Sequence, residues 1–172
     1  MKTEYKREQF SAAGFRFAIV VSRWNDELTS RLADGAVEAI YESGADPESI
    51  EIFRVPGSFE LPLACLKAAQ SGDFDAVIAL GVVIRGDTPH FDYVAGQAAS
   101  GILQASIKTG VPVLFGVITA DNLEQATKRS GEKADNKGYE AALSAVEMVN
   151  LFREMDKSSK QGGGDKVFQN VV

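Results

Sequence analysis

The stretch Ala76 to Lys108, AVIALGVVIRGDTPHFDYVAGQAASGILQASIK, decides the fold because it changes periodicity in its middle. Ala76 to Ile84 is an unbroken apolar run, short and rich in β-branched residues, and Arg85-Gly86 bounds it; it predicts a buried strand. From Phe91 to Lys108 the apolar residues return at helical spacing, which predicts a helix. A buried strand leading directly into a helix is half of a parallel βαβ unit.

The alternation continues in both directions. Upstream, Phe15 to Val21 (FRFAIVV) reads as a strand and Asp26 to Ser43 as a helix ended by Gly44 and Pro47; Ile50 to Val55 and Phe59 to Gln70 repeat the pair. Downstream, Val111 to Ile118 is a strand, Leu123 to Arg129 a helix, and Tyr139 to Met155 a last helix. Such a chain belongs to the α/β class, with a parallel sheet between two helical layers. Four strands joined by right-handed crossovers give the three-layer αβα arrangement of flavodoxin-like order 2-1-3-4. The expected organisation is an N-terminal arm over residues 1–13, one domain over 14–155, and a flexible tail over 156–172. Lys157 to Lys166, KSSKQGGGDK, has the composition of a mobile segment.

A chain of 172 residues can bury roughly 70% of its unfolded surface in one core. Its 45% hydrophobic and 24% charged residues are those of an ordinary globular protein. The net charge of -6, with lysines and arginines scattered, argues against nucleic acid as a partner. A small anion remains open, because its capture depends on local geometry. The single cysteine, Cys65, lies in the apolar stretch LPLACLKAA and reads as a small buried hydrophobe. The opening residues lack an apolar leader and the longest apolar run is far below the ~18 residues that span a bilayer. A cytoplasmic location is expected.

Ligands of open α/β sheets bind beyond the carboxyl ends of the strands, which directs attention to Ser22–Asn25, Pro56–Glu60, Arg85–His90 and Thr119–Asn122. After the third predicted strand, Gly86 permits unusual backbone angles, Thr88 suits a helix N-cap and Pro89 the first helical position. The turn reads either as a well-capped connection or as a phosphate seat at a helix N-terminus. His90, the only histidine, is either incidental or a neutral base beside that seat. Ser58 and Glu60 have a cap and a first-turn acid as their plainer readings, and Trp24 is either a stacking platform or a lid on the core. P-loop, GxGxxG, HExxH, CxxC and GxSxG patterns do not occur.

The segments VPGSFELP, GVVIRGDTPHFDYV, FGVITADNLEQA and NKGYEAALSAVEM, in this order and spacing, resemble the lumazine synthase family over Gly14 to Leu151. The resemblance implies condensation of 5-amino-6-(D-ribitylamino)uracil with 3,4-dihydroxy-2-butanone 4-phosphate to 6,7-dimethyl-8-ribityllumazine, with loss of phosphate and water. No metal or organic cofactor is implied. By position it gives Trp24 the role of stacking on the pyrimidine, Ser58, Phe59 and Glu60 that of holding the ribityl chain, and Val82, Val83 and Ile84 that of lining the pyrimidine pocket. Gly86, Asp87 and Thr88 fall in the phosphate loop, and His90 at the proton-transfer position. Phe115, Arg129 and the supporting Lys137 are expected from a neighbouring subunit.

The carboxylate of Asp87 would repel a phosphate, so its side chain is expected to point outward, leaving Arg129 as the principal cation. The resemblance further implies a pentamer, with small residues Ala95, Gly96, Ala98, Ala99 and Gly101 admitting close helix approach and Met1 to Phe10 adding an edge strand to a neighbour. The compact connection Gly131 to Gly138 points to a 60-subunit icosahedral shell, for which riboflavin synthase is the implied enclosed partner. Two rivals share the fold: riboflavin synthase of the archaeal type, and a catalytically silent flavin-binding shell protein.

Overall fold

The computed structural model describes residues 10–161. In chain order the elements are β1 (Phe17–Ser22), α1 (Asp26–Glu42), β2 (Ile50–Val55), α2 (Leu61–Gln70), β3 (Ala76–Ile84), α3 (His90–Thr109), β4 (Val113–Ala120), α4 (Leu123–Lys128) and α5 (Lys137–Gln161). Single 3-10 turns at Pro47–Ser49, Ser58–Glu60 and Lys133–Asp135 lie between them. The strands form one parallel sheet of order β2-β1-β3-β4, as the alternation predicted.

Alternate side chains of a strand face opposite sides of its sheet, and here each side builds its own core. Phe17, Ile19, Ile78 and Leu80 pack with Leu32 and Ile40 of α1 and with Ala142 and Val146 of α5. The smaller Ala18, Val20, Val77 and Ala79 pack with Leu61 and Cys65 of α2 and with Ile102 and Ala105 of α3. Cys65 is fully buried, and burial pushes its thiol up to about 12, as suits an inert hydrophobe. Gly101 allows α3 to meet α2, since a Cβ there would lie 2.6 Å from Pro62 Cβ. Of the small-residue stripe on α3, Ala98 and Gly101 therefore serve packing within the chain, while Gly96 and Ala99 face outward.

Three local features differ from the sequence expectation. β2 is an edge strand that leaves Ile52 and Phe53 exposed, so the helices cover the other three strands and not this one. α3 starts at His90 rather than at Pro89. Pro89 has φ −64° and ψ −1°, and its carbonyl takes the Asp92 N–H at 3.0 Å, so the first turn closes one residue later and tighter. α5 runs from Lys137 to Gln161, beyond both expected ends. Asn136 caps its start, and residues 156–161 contain no helix breaker ahead of the glycines at 162–164. The proposed edge strand over Met1 to Phe10 and the rest of the tail lie outside the described residues, save Phe10.

The connection between α4 and α5 is tied to α1. Lys133, at φ 42°, places its Nζ 2.7 Å from Glu42 Oε1, and Tyr139 Oη donates to Glu42 Oε2 at 2.7 Å. These two donors hold the Glu42 carboxyl below the ordinary glutamate range. A carboxyl depressed in the folded state contributes stability above its unfolded pKa, about 4.3, and loses it as the pH falls through its folded value. Thermal melting of Glu42→Gln should therefore fall below that of the parent at pH 7, with the gap closing below about pH 4. A gap of constant size across that range would show that Glu42 acts through something other than its charge.

Candidate active site

The carboxyl ends of β1, β2 and β3 and the start of α3 enclose one cavity of about 690 Å³, within the roughly 300–1,000 Å³ usual for small-molecule sites. Its walls are mostly apolar with a few convergent polar groups. Each wall is set by the end of a strand.

After β1, Arg23 N–H donates to Val55 O at 2.8 Å and Trp24 N–H to Pro56 O at 3.1 Å, zipping this loop to the one after β2. Asn25 then turns into the left-handed region (φ 61°, ψ 47°), a conformation asparagine tolerates better than most residues. Its Nδ2 donates to Val82 O at 3.0 Å, joining the loop to β3. The turn leaves Trp24 74% exposed on the cavity wall. That exposure rules out a lid on the core and leaves a free aromatic face.

After β2, Pro56 and Gly57 lead into the 3-10 turn at Ser58–Glu60. Glu60 Oε2 accepts the Gly57 N–H at 2.9 Å, and Phe59 stands exposed on the wall. Ser58 caps nothing. Its hydroxyl is buried without a hydrogen-bond partner and faces Gly81, where a Cβ would lie 2.5 Å from Ser58 Oγ and 3.3 Å from Ser22 Oγ. Ser58 lines the cavity in a turn where the Glu60 N–H donates to Gly57 O at 3.3 Å and, among the described residues, the amides of Ser58 and Phe59 have no backbone acceptor.

After β3, Val82, Val83 and Ile84 form the floor and Gly86, Thr88 and His90 the far wall. Among the described residues the amides of Gly86, Asp87 and Thr88 make no hydrogen bond, and the His90 amide reaches Thr88 Oγ1 only at 3.5 Å. Gly86 does not use the positive φ that glycine permits. A Cβ there would meet open space, so glycine keeps the approach to the backbone clear. Asp87 is exposed and absent from the lining, whereas its neighbours on both sides belong to it. Arg85 braces the loop: its guanidinium bonds Asp121 Oδ1 at 3.1 Å and Asp92 Oδ1 at 3.2 Å and lies 4.1 Å over the Phe91 ring. Those partners raise its already high pKa and keep it engaged.

Phe115, Arg129 and Lys137 are not in this cavity. Phe115 is on β4, at the opposite edge of the sheet from β2, and is partly exposed. Arg129 closes α4 with its guanidinium 3.3 Å from Glu140 Oε2, while Lys137 Nζ lies 2.7 Å from Glu140 Oε1. The sequence reading included Asn25 in a strand-end segment without giving it a role and assigned none to Phe91, Tyr93 and Val94, all lining residues. Asn25 had a visible signal, an asparagine between a strand and a helix. The other three follow His90 in the first turns of α3, Phe91 and Val94 partly buried against the core and Tyr93 exposed. Among the described residues no three His, Cys, Asp or Glu side chains converge as a metal site requires, and no helix is long and apolar enough to cross a membrane.

The profile of the 6,7-dimethyl-8-ribityllumazine synthase family matches residues 14–153. A protein of Chlorobium chlorochromatii (strain CaD3) called 6,7-dimethyl-8-ribityllumazine synthase is 55% identical over 155 residues, covering 90% of this chain and 100% of its own. Proteins of the same name from Chlorobium luteolum, 54% identical, and Syntrophus aciditrophicus, 55% identical, each cover 84% of this chain and 94% of their own. A profile over most of the chain, relatives matched along nearly their whole length, and a cavity built from the expected strand ends agree. The chain belongs to the 6,7-dimethyl-8-ribityllumazine synthase family, transferases of riboflavin biosynthesis.

Proposed function

We propose a division of roles for the activity that family membership gives this chain, the condensation of 5-amino-6-(D-ribitylamino)uracil with 3,4-dihydroxy-2-butanone 4-phosphate. The observation that carries it is the single cavity shared by Trp24, Ser58–Glu60, Val82–Ile84, Gly86, Thr88 and His90. The exposed indole of Trp24 and the apolar floor suit a flat pyrimidine. The amides and Glu60 carboxylate of the 3-10 turn suit the ribityl hydroxyls. The unpaired amides at the head of α3, aided by the helix dipole, suit the phosphate, with Asp87 turned away.

The 5-amino nitrogen attacks the ketone carbonyl, and water leaves as the imine forms. Phosphate then leaves by elimination, and ring closure releases a second water. Each step moves a proton at nitrogen, oxygen or carbon, and His90, which lines the cavity with Gly86 and Thr88, supports the reading of a proton-transfer group. Holding two reactive substrates together supplies much of the remaining acceleration, up to about 7–11 kcal/mol in ideal cases. Arg129 and Phe115, turned away from their own cavity, complete that of a neighbouring chain.

Exposed apolar side chains support assembly. Leu63 of α2 and Leu103 and Ile107 of α3 are each at least 60% exposed, and Ile52 and Phe53 leave the β2 edge open. A monomer rarely leaves so much large apolar surface free. A pentamer covers these faces, and the compact 131–138 connection favours closure into a 60-subunit shell able to enclose riboflavin synthase. Light scattering should give a pentamer or a multiple of pentamers. A monomer at assay concentrations would exclude both, and a bare pentamer would exclude the shell.

Incubation with both substrates should yield lumazine fluorescence, whereas lumazine alone should give no riboflavin. Riboflavin from lumazine alone would favour the archaeal-type rival, and saturable flavin binding without turnover the silent module. Trp24→Ala should weaken pyrimidine binding by about 1–3 kcal/mol; unchanged affinity in titration would remove Trp24 from the site. His90→Ala should lower turnover by about 10²-fold or less, because proximity survives, with little change in either KM. Arg129→Ala should instead raise the KM of the phosphate-bearing substrate through loss of a charge-assisted bond worth about 1.5–3 kcal/mol. Full turnover by His90→Ala between about pH 6 and 8 would defeat the proton-transfer role.

A further inference from the structure

We propose that Asn136 is the positioning residue for Arg129, acting through the backbone of the connection between α4 and α5. The proposal rests on the reading that Arg129 captures the phosphate-bearing substrate.

Asn136 is 3% exposed, and its carboxamide uses its whole hydrogen-bonding capacity. Oδ1 accepts from Gly138 N at 2.9 Å and Tyr139 N at 3.0 Å, capping α5. Nδ2 donates to Gly131 O at 2.8 Å and across to Arg31 O of α1 at 2.9 Å. A helix cap requires only the two accepted bonds, which serine, threonine or aspartate also provide. The two donated bonds are additional, and both fix the connection.

What they fix carries Arg129. Ser130 and Asn136 form an antiparallel bridge, Gly131 N–H donates to Asp135 O at 3.3 Å, and Lys137 N–H donates to Arg129 O at 2.9 Å. The backbone of Arg129 is thus clamped by the residue next to Asn136. Two glycines let this clasp lie flat on α1: a Cβ on Gly35 would lie 2.6 Å from Asn136 Cγ, and one on Gly138 would run into the Leu32 carbonyl. Against this frame the Arg129 side chain stays about half exposed (48%), resting on Glu140, whose own N–H donates to Asn136 O at 3.1 Å. The guanidinium lies at the surface with Glu140 as its partner, and its starting point is set by a buried amide.

Asn136→Ser keeps a cap but removes both ties, and Asn136→Asp keeps the size but turns two donors into lone pairs facing carbonyls. Steady-state kinetics with each substrate varied should show the KM for 3,4-dihydroxy-2-butanone 4-phosphate rising about tenfold or more, since a misplacement near 1 Å can cost up to about 10²-fold. The pyrimidine KM and kcat should stay within about twofold. In Arg129→Ala/Asn136→Ser the KM should rise no further than in Arg129→Ala alone, because the two act as one unit. If the Asn136 variants fail to assemble, Gly35→Ala, which presses on the carboxamide from α1, should produce the same selective rise. A purely structural role would lower kcat with both KM values unchanged, or give additive effects in the double variant, and either result overturns the proposal. If Arg129→Ala leaves the phosphate-substrate KM unchanged, the reading of Arg129 fails with it. If Arg129→Ala raises that KM and no Asn136 or Gly35 variant does, the positioning role alone is wrong.

Discussion

β3 is hydrogen-bonded along both edges and buried on both faces, and the geometry of the site depends on that confinement. Each fully buried Val, Ile or Leu stabilises by about 1.5–3 kcal/mol. The exposed ion pairs around the loops give about 0–1 kcal/mol each. The core therefore sets where the strands end, and the loops adapt to it. Once β3 is held, its carboxyl end fixes Val82–Ile84, Val82 O receives Asn25, and Asn25 places Trp24. A cavity between three strand ends follows from the 2-1-3-4 order.

The electrostatics of the cavity underlie the proposal that a neighbouring chain completes the site. A phosphate seat made of backbone amides and a helix dipole carries only partial charge. Arg85 is the nearest arginine in sequence, yet two aspartates and a phenylalanine ring engage it. Asp87 adds a carboxylate to the loop after β3, exposed and outside the cavity lining. On the proposed reading a full cation comes from an adjoining chain, and Arg129, at the end of α4 and about half exposed, is the candidate.

The fold was legible because continuous burial writes itself into composition. Ala76–Ile84 has the bounds that its apolar run alone suggests. Features that depend on hydrogen-bond direction were not legible. Ser58 reads as a cap from its place before a helix, but its hydroxyl turns to Gly81, a contact across sequence that no local pattern announces. Pro89 fits the first helical position by preference, and the tight turn at Asp92 moves the start by one residue. The openness of β2 was hidden because an exposed apolar strand in one chain has the sequence of a buried strand. The site was legible as a set of strand ends plus a family resemblance; Asn25 and Asn136 went unread because an asparagine's value lies in which carbonyls and amides it joins.

The proposed active site is divided, with the cavity on one chain and the phosphate-holding arginine on the next. The most direct measurement mixes Trp24→Ala and Arg129→Ala chains in equal amounts, dissociates and reassembles them together, and records the rate at low concentrations of both substrates. In random assemblies some cavities with an intact Trp24 meet an intact Arg129 from a neighbour, and the rate should recover to about a quarter of the unaltered protein's. If the mixture gives only the average of the two separate variants, each chain holds a complete site of its own and the claim is wrong.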